Sequence, residues 1–257
     1  MPGSRSAFNN LRLVTTSFFI PPPNIKGERV TLPVEEVRHA SRVLRKSAGD
    51  EIVAVDGMGG WYRIVLDHVD KRSAVGHIIE RREGVGEPPY ELTLAVAVLK
   101  NRSRFDTLLE KSVELGVSVI VPLITARTEK ERIREQRSEN ILTSALKQCG
   151  RSRLPEFRDP VTLEDFLKIE SEKESPSVKL ICHEGVGTEF AISDALTESR
   201  GIGRITALVG PEGGFTDDEI VTASTADYRL VSLGKRRLRT ETAAISVAAA
   251  VMLAYEC

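Results

Sequence analysis

From Leu92 onward the chain alternates short apolar runs with helical patterns, and this alternation restricts the fold more than any other feature. Leu92–Leu99, Ser118–Thr125, Val178–Cys182, Ile205–Val209 and Tyr228–Leu233 are strand-length runs that are largely apolar at successive positions. A strand apolar on both faces is buried on both faces, as in a parallel sheet covered by helices. Helical patterns fall between them: Arg104–Leu115, which stops at Gly116, the long charged stretch Glu131–Gln148, and the short Thr162–Ile169. The order predicts an α/β domain with a parallel sheet.

The preceding part reads differently. Between about Phe18 and Arg82, short extended segments at Glu28–Leu32, Glu51–Asp56, Gly60–Leu66 and Ala74–Glu80 are separated by Gly-Asp and Asp-Gly-Met-Gly-Gly turns, with one helix expected at Pro33–Arg45. A small β-barrel is the natural way to close such strands. Glu83–Pro89, rich in glycine and proline, reads as a linker, which puts the domains at 15–84 and 90–257. A length of 257 residues with 41% apolar content allows one large or two small cores. Residues before about Thr15 read as an extension.

Composition narrows the function classes. No apolar run approaches the ~20 residues of a membrane helix, and no charged-then-apolar leader precedes a cleavage site, so a cytoplasmic protein without membrane attachment is expected. The three cysteines, Cys149, Cys182 and Cys257, show no C-x-x-C spacing, and the four histidines form no H-E-x-x-H. Neither a disulfide framework nor a metal site is expected. A formal net charge of −1 argues against indiscriminate polyanion binding, so any nucleic-acid contact must be local. Basic residues cluster at Arg42, Arg45 and Lys46, at Lys71 and Arg72, at Lys100, Arg102 and Arg104, at Arg151 and Arg153, and from Lys235 to Arg239. Each cluster reads either as a solvated face or as a phosphate contact.

Two glycine-rich segments carry the chemistry. Leu208-Val-Gly-Pro-Glu-Gly-Gly-Phe215 joins an apolar run to a helical segment that opens with Thr216-Asp-Asp-Glu219, the spacing of a capping box. Gly210, Gly213 and Gly214 let backbone approach a ligand, although a tight strand-to-helix connection needs the same residues. The chain has neither G-x-x-x-x-G-K-[ST] nor a strand-end G-x-G-x-x-G, so the usual phosphate cradles are missing. In the second segment, Lys235, Arg236, Arg237 and Arg239 fall within five residues just before the apolar run Ala243–Tyr255. Cations are unfavourable at a helix N-terminus unless negative charge sits nearby. Glu241, with Thr240 or Thr242, is also placed to cap that helix.

Leu-Val-Gly-Pro-Glu-Gly-Gly-Phe followed by Leu-Gly-x-Arg-x-Leu-Arg-Thr-Glu-Thr-Ala resembles the ribosomal RNA small-subunit methyltransferase E family of the SPOUT superfamily. The resemblance extends to Phe105-Asp-Thr-Leu-Leu-Glu-Lys-Ser-Val-Glu-Leu-Gly-Val117 with Ile120-Val-Pro122, to Gln148-Cys-Gly-Arg151 with Pro155, and to His39-Ala-Ser-Arg-Val-Leu-Arg45 with Gly49-Asp50. These blocks span nearly the whole chain in the family's order. Lys147 stands where glutamate is usual, Arg237 where isoleucine is, and Ala126 with Thr128 replaces a Glu-Arg-Ser run around Arg127.

The resemblance implies a PUA-like RNA-binding barrel and a C-terminal SPOUT α/β trefoil-knot domain, with the knot from about residue 178 to 257. It implies transfer of a methyl group from S-adenosylmethionine to uridine N3 in 16S ribosomal RNA, by a homodimer acting on that RNA or on the small subunit. The implied cofactor residues are Gly210, Pro211, Glu212, Gly213, Gly214, Leu233, Gly234, Leu238 and Thr240, with His183 and Glu184 after a strand end. His183 reads equally as structural. Arg239 is the candidate to stabilise charge on the uracil oxygens, and Glu241 to accept the N3 proton. Arg42, Arg45, Lys46, Lys100, Arg151, Arg153 and Arg236 are the candidate RNA contacts. Methylation of a ribose 2′-hydroxyl, or a non-catalytic role as an RNA-binding assembly factor, are the alternatives.

Overall fold

A computed structural model of the protein describes residues 17–129, 133–185 and 187–257. The extension expected before Thr15, and Glu131 and Arg132 of the long helical pattern, lie outside the described residues. The chain forms two compact units: one runs to Glu87 and includes Leu146–Leu154, the other comprises Pro88–Ala145 and Pro155–Cys257.

In the N-terminal unit, β1 (Phe18–Phe19), β2 (Ile25–Lys26), β3 (Arg29–Thr31), β4 (Glu51–Val55), β5 (Gly60–Val69) and β6 (Ala74–Glu83) form one sheet in the order β1-β4-β5-β6-β3-β2. Alternation along β5 turns Tyr62, Ile64 and Leu66 inward. Register shifts in the β5–β6 ladder at Arg63/Ile64 and Leu66/His68 bend the sheet. All six strands contribute to a single core around Phe18, Val30, Ile52, Ile64 and Ile78, with Ile25 packed against it. This is the small, curled β-domain that the strand spacing implies. Helix α1 (Val34–Arg38) continues as a π-helical turn, His39–Val43, and Arg45 takes a positive φ of 51°.

The segment Leu146–Leu154 is stitched into this unit. Lys147 Nζ lies 2.5 Å from Glu36 Oε1, and Glu36 is 7% exposed in its side chain. The Lys147 carbonyl accepts from both the amide and the hydroxyl of Ser17. Lys147 therefore compensates a buried carboxylate, which a glutamate at that position would oppose.

In the C-terminal unit, β7 (Glu91–Ala97), β8 (Val119–Ile124), β9 (Glu156–Phe157), β10 (Val161–Thr162), β11 (Val178–Cys182), β12 (Arg204–Val209) and β13 (Arg229–Val231) form a sheet ordered β10-β8-β7-β12-β11-β13, with β9 also beside β8. Every pairing in it is parallel. Leu92, Leu94, Ala95, Val96 and Ala97 are all buried, as expected of a strand covered on both faces. The helices are α2 (Arg102–Glu114), α3 (Glu135–Cys149), α4 (Leu163–Ser171), α5 (Ile192–Glu198), α6 (Asp217–Thr225) and α7 (Thr240–Glu256). The last turn of α3 belongs to the N-terminal unit. Strand β12 lies between β7 and the earlier β11, so the chain returns to the middle of the sheet before passing out to β13. Among the described residues no helix is long and apolar enough to cross a membrane.

Candidate active site

Because β12, β11 and β13 are adjacent and parallel, their C-terminal ends lie side by side. Ile181 pairs in register with Leu208, and Cys182 with Val231. The segments that leave these strands, Cys182–Glu184, Gly210–Phe215 and Leu233–Ala243, consequently meet around a cleft of about 150 Å³. A crevice at the carboxyl ends of parallel strands, where strand order reverses, is the general ligand position in open α/β sheets.

The first glycine turn is fixed from both ends. The Thr216 hydroxyl accepts from the Glu219 amide at 3.2 Å, and Glu219 Oε2 accepts from the Thr216 amide at 2.8 Å, which completes the expected capping box. Glu219 Oε1 also accepts from the Ala126 amide at 2.8 Å. Arg127 Nη1 donates to the Gly213 carbonyl at 2.6 Å and to the Phe215 carbonyl at 3.2 Å. Gly214 and Gly234 take positive φ values of 70° and 110°, with nothing within 4 Å of where a Cβ would stand. Both positions thus leave backbone open to a ligand.

In the second segment the basic run is only partly compensated. Arg237 Nε lies 3.3 Å from Glu184, and its Nη2 donates to the Glu212 carbonyl at 3.2 Å. Arg239 is the exposed N-cap of α7, and its guanidinium makes no hydrogen bond or ion pair among the described residues. Leu238 and Thr240, on either side of it, both line the cleft. The alternative role of Thr240, Thr242 and Glu241 as caps is overturned: α7 has no side-chain cap. Thr240 and Glu241 are instead buried, at 3% and 8% exposure. Glu241 Oε1 lies 3.6 Å from Arg104 Nε, while its Oε2 is buried without a hydrogen-bond partner among the described residues.

The structure brings His183, Glu184, Gly210, Pro211, Glu212, Gly213, Gly214, Leu233, Gly234, Leu238 and Thr240 together on this one cleft, along with Arg236. Cys182, Arg127, Phe215 and Ala243 also line it, which the sequence reading did not single out. No local signal marks Arg127, because it acts on carbonyls far along the chain. Burial pushes the Cys182 thiol up to about 12. Among the described residues no group of three His, Cys, Asp or Glu side chains could hold a metal ion.

Of the expected RNA contacts, Arg42, Arg45 and Arg153 are exposed. Lys46 is half-buried and donates to the Glu51 carbonyl, and Lys100 pairs with Glu129 at 2.6 Å. Arg151 must be corrected. It is 4% exposed, and its Nη2 and Nε donate to Glu87 Oε2 at 2.8 and 3.3 Å, while Glu87 Oε1 accepts from the Ser152 and Arg153 amides. A guanidinium enclosed by this carboxylate is a fold contact and not a phosphate contact.

Comparison with known proteins agrees with this architecture. Residues 86–252 match the RNA methyltransferase domain model, and residues 32–79 the RNA methyltransferase PUA domain model. Ribosomal RNA small subunit methyltransferase E of Synechocystis sp. is 32% identical over 87% of this chain and 73% of its own length; that of Aquifex aeolicus is 31% identical over 88% and 95%. The crystal structure of the Neisseria gonorrhoeae ribosomal RNA small subunit methyltransferase E bound to S-adenosyl methionine superposes with a TM-score of 0.81, at 33% identity, over 93% of this chain and 97% of that one. A putative methyltransferase from Legionella pneumophila, solved in complex with the same cofactor, gives 0.79 at 32% identity over 93% and 98%. The fold is that of an RNA methyltransferase of the SPOUT class joined to a PUA domain. Within that class, the chain belongs to the ribosomal RNA small subunit methyltransferase E family.

Proposed function

We propose that the cleft binds S-adenosylmethionine and that the protein methylates N3 of a uridine in 16S ribosomal RNA. The observation that carries this reading is the convergence of both glycine-rich segments on one cleft, with Arg239, unpaired among the described residues, flanked by two of its lining residues. The residues fit that ligand. Val209, Phe215, Leu233 and Leu238 offer apolar surface to a flat base, and the open backbone at Gly214 and Gly234 admits close approach.

When bound, S-adenosylmethionine would supply a methyl group already activated by its sulfonium, the sulfur keeping the electron pair as the leaving group. The chain's own residues then have to align the acceptor and move one proton. Uracil N3 bears that proton and is a poor nucleophile until it leaves. Glu241, with one buried and unpartnered oxygen, accepts it, and the Arg239 guanidinium stabilises the negative charge that grows on the uracil oxygens. Arg42, Arg45, Lys46, Lys100, Arg153 and Arg236 hold phosphates, which position the RNA without reading its sequence.

The protein works in the cytoplasm, where small subunits are assembled, as a homodimer. Helix α7 supports the dimer. Ala244, Val247, Ala248 and Val251 are buried within the chain, whereas Ile245, Ala249 and Met252 are half-buried and Leu253 is 57% exposed, forming a second apolar stripe. The test is steady-state methylation by Arg239→Ala and Glu241→Gln proteins. Arg239→Ala should lower kcat by ~100-fold with cofactor and RNA affinity kept, as for other donors to a developing anion. Normal turnover with weakened RNA binding would make Arg239 a phosphate contact. Light scattering that finds a cofactor-binding monomer at micromolar concentration would remove the dimer.

A further inference from the structure

Two carboxylates of the C-terminal unit share one guanidinium. Arg104, in the first turn of α2, places its Nε 3.6 Å from Glu241 Oε1 and its Nη1 3.9 Å from Glu212 Oε1. A cation in the first turn of a helix is opposed by the helix dipole, and α2 is already capped by the Asn101 side chain. Helix formation therefore does not call for Arg104; the two acids facing it do. The Glu241 side chain is 11% exposed, and its second oxygen is buried with no hydrogen-bond partner among the described residues. A carboxylate in such surroundings is tolerated when a cation compensates it and a donor takes up the remaining oxygen. Arg104 supplies the first, and nothing within the described chain supplies the second.

We propose that Arg104 is a positioning residue for methyl transfer: it compensates and aims Glu241 through Oε1, leaves Oε2 for a proton of the substrate, and links that carboxylate through Glu212 to the cofactor turn. This rests on the reading of Glu241 given above. Separations of 3.6 and 3.9 Å are those of an ion pair and not of formed hydrogen bonds, and such contacts tighten when substrate is bound. Glu212 lines the cleft, so occupancy there and the placement of Glu241 are connected through a single side chain.

A double-mutant cycle tests the proposal in two independent readouts. For turnover, Arg104→Gln and Glu241→Gln should each lower kcat by ~10- to 100-fold with little change in KM for RNA, and the double variant should be no slower than the worse single one. Arg104→Lys, which keeps the charge and loses the fork, should recover part of the rate. For stability of the protein without cofactor or RNA, urea unfolding should show Arg104→Gln lowering the midpoint when Glu241 is present, and leaving it nearly unchanged in the Glu241→Gln background. Additive effects in both cycles overturn the proposal, as does a raised KM for RNA with a flatter salt dependence, which would make Arg104 a phosphate ligand. If Arg104→Gln does not fold, Glu212→Gln replaces it in the stability cycle with Glu241→Gln, where additive effects of the two count against the shared guanidinium. A wild-type protein that forms no methylated uridine refutes the function reading, while the stability cycle still decides the coupling.

Discussion

Gly213 shows how a single residue can separate binding from folding. Its backbone is not in the left-handed region, and a Cβ there would stand 3.2 Å from Arg127 Cδ, the side chain that holds the turn through its carbonyls. Gly213→Val should remain folded but push this arm aside, lowering S-adenosylmethionine affinity by at least about tenfold, the scale of one or two lost hydrogen bonds. Calorimetry that finds unchanged affinity in a soluble variant would contradict this. Cys182 gives a second prediction. With its thiol pushed up to about 12, the reactive thiolate forms only as pH approaches that value. Alkylation of Cys182 should lag behind the exposed Cys257 and climb about tenfold per pH unit from pH 7 to 10. A rate that levels off near pH 8 would contradict the burial. The glycines of both turns were legible because turn chemistry is local. Arg127 was not, since its partner Gly213 lies 86 positions along the chain; nor was the pairing of Arg104 with Glu241, which joins the starts of two distant helices.

At the scale of elements, α6 depends on its capping box. Thr216→Ala removes the hydroxyl that accepts from the Glu219 amide and should destabilise the C-terminal unit by ~1 kcal/mol, read as a lower denaturant midpoint. That box could be read directly, because its two members are three residues apart. Helix α5 could not: it has seven residues and no side-chain cap. Strands β1, β2, β9 and β10 have two residues each, too few to show alternation. Arg151 and Arg153 looked alike in sequence, and only burial distinguishes them. Arg151→Ala should cost about 3 kcal/mol of stability by stranding the Glu87 carboxylate. Replacing Arg42 and Arg45 by alanine should leave stability unchanged and flatten the salt dependence of RNA binding, by roughly one unit of logarithmic slope per lost contact. Fluorescence unfolding and a binding titration in salt distinguish the two, and an unchanged slope would reduce Arg42 and Arg45 to a solvated face.

For the whole molecule, the parallel sheet was visible in the run of doubly buried strands, but its order was not. Hydrophobic pattern says that β12 is buried on both faces without saying that it lies between β7 and β11, because those contacts join segments far apart in sequence. The place where strand order reverses was therefore available only through the family resemblance, and with it the convergence of three strand ends on one cleft. Small subunits from a strain lacking this protein, incubated with the purified protein and S-adenosylmethionine and digested for mass spectrometry, should gain 3-methyluridine in the 16S RNA, and the Arg239→Ala protein should form it ~100-fold more slowly. Methyl groups found on ribose 2′-oxygens, or RNA left unmodified by a protein that binds the cofactor, would contradict the proposed function.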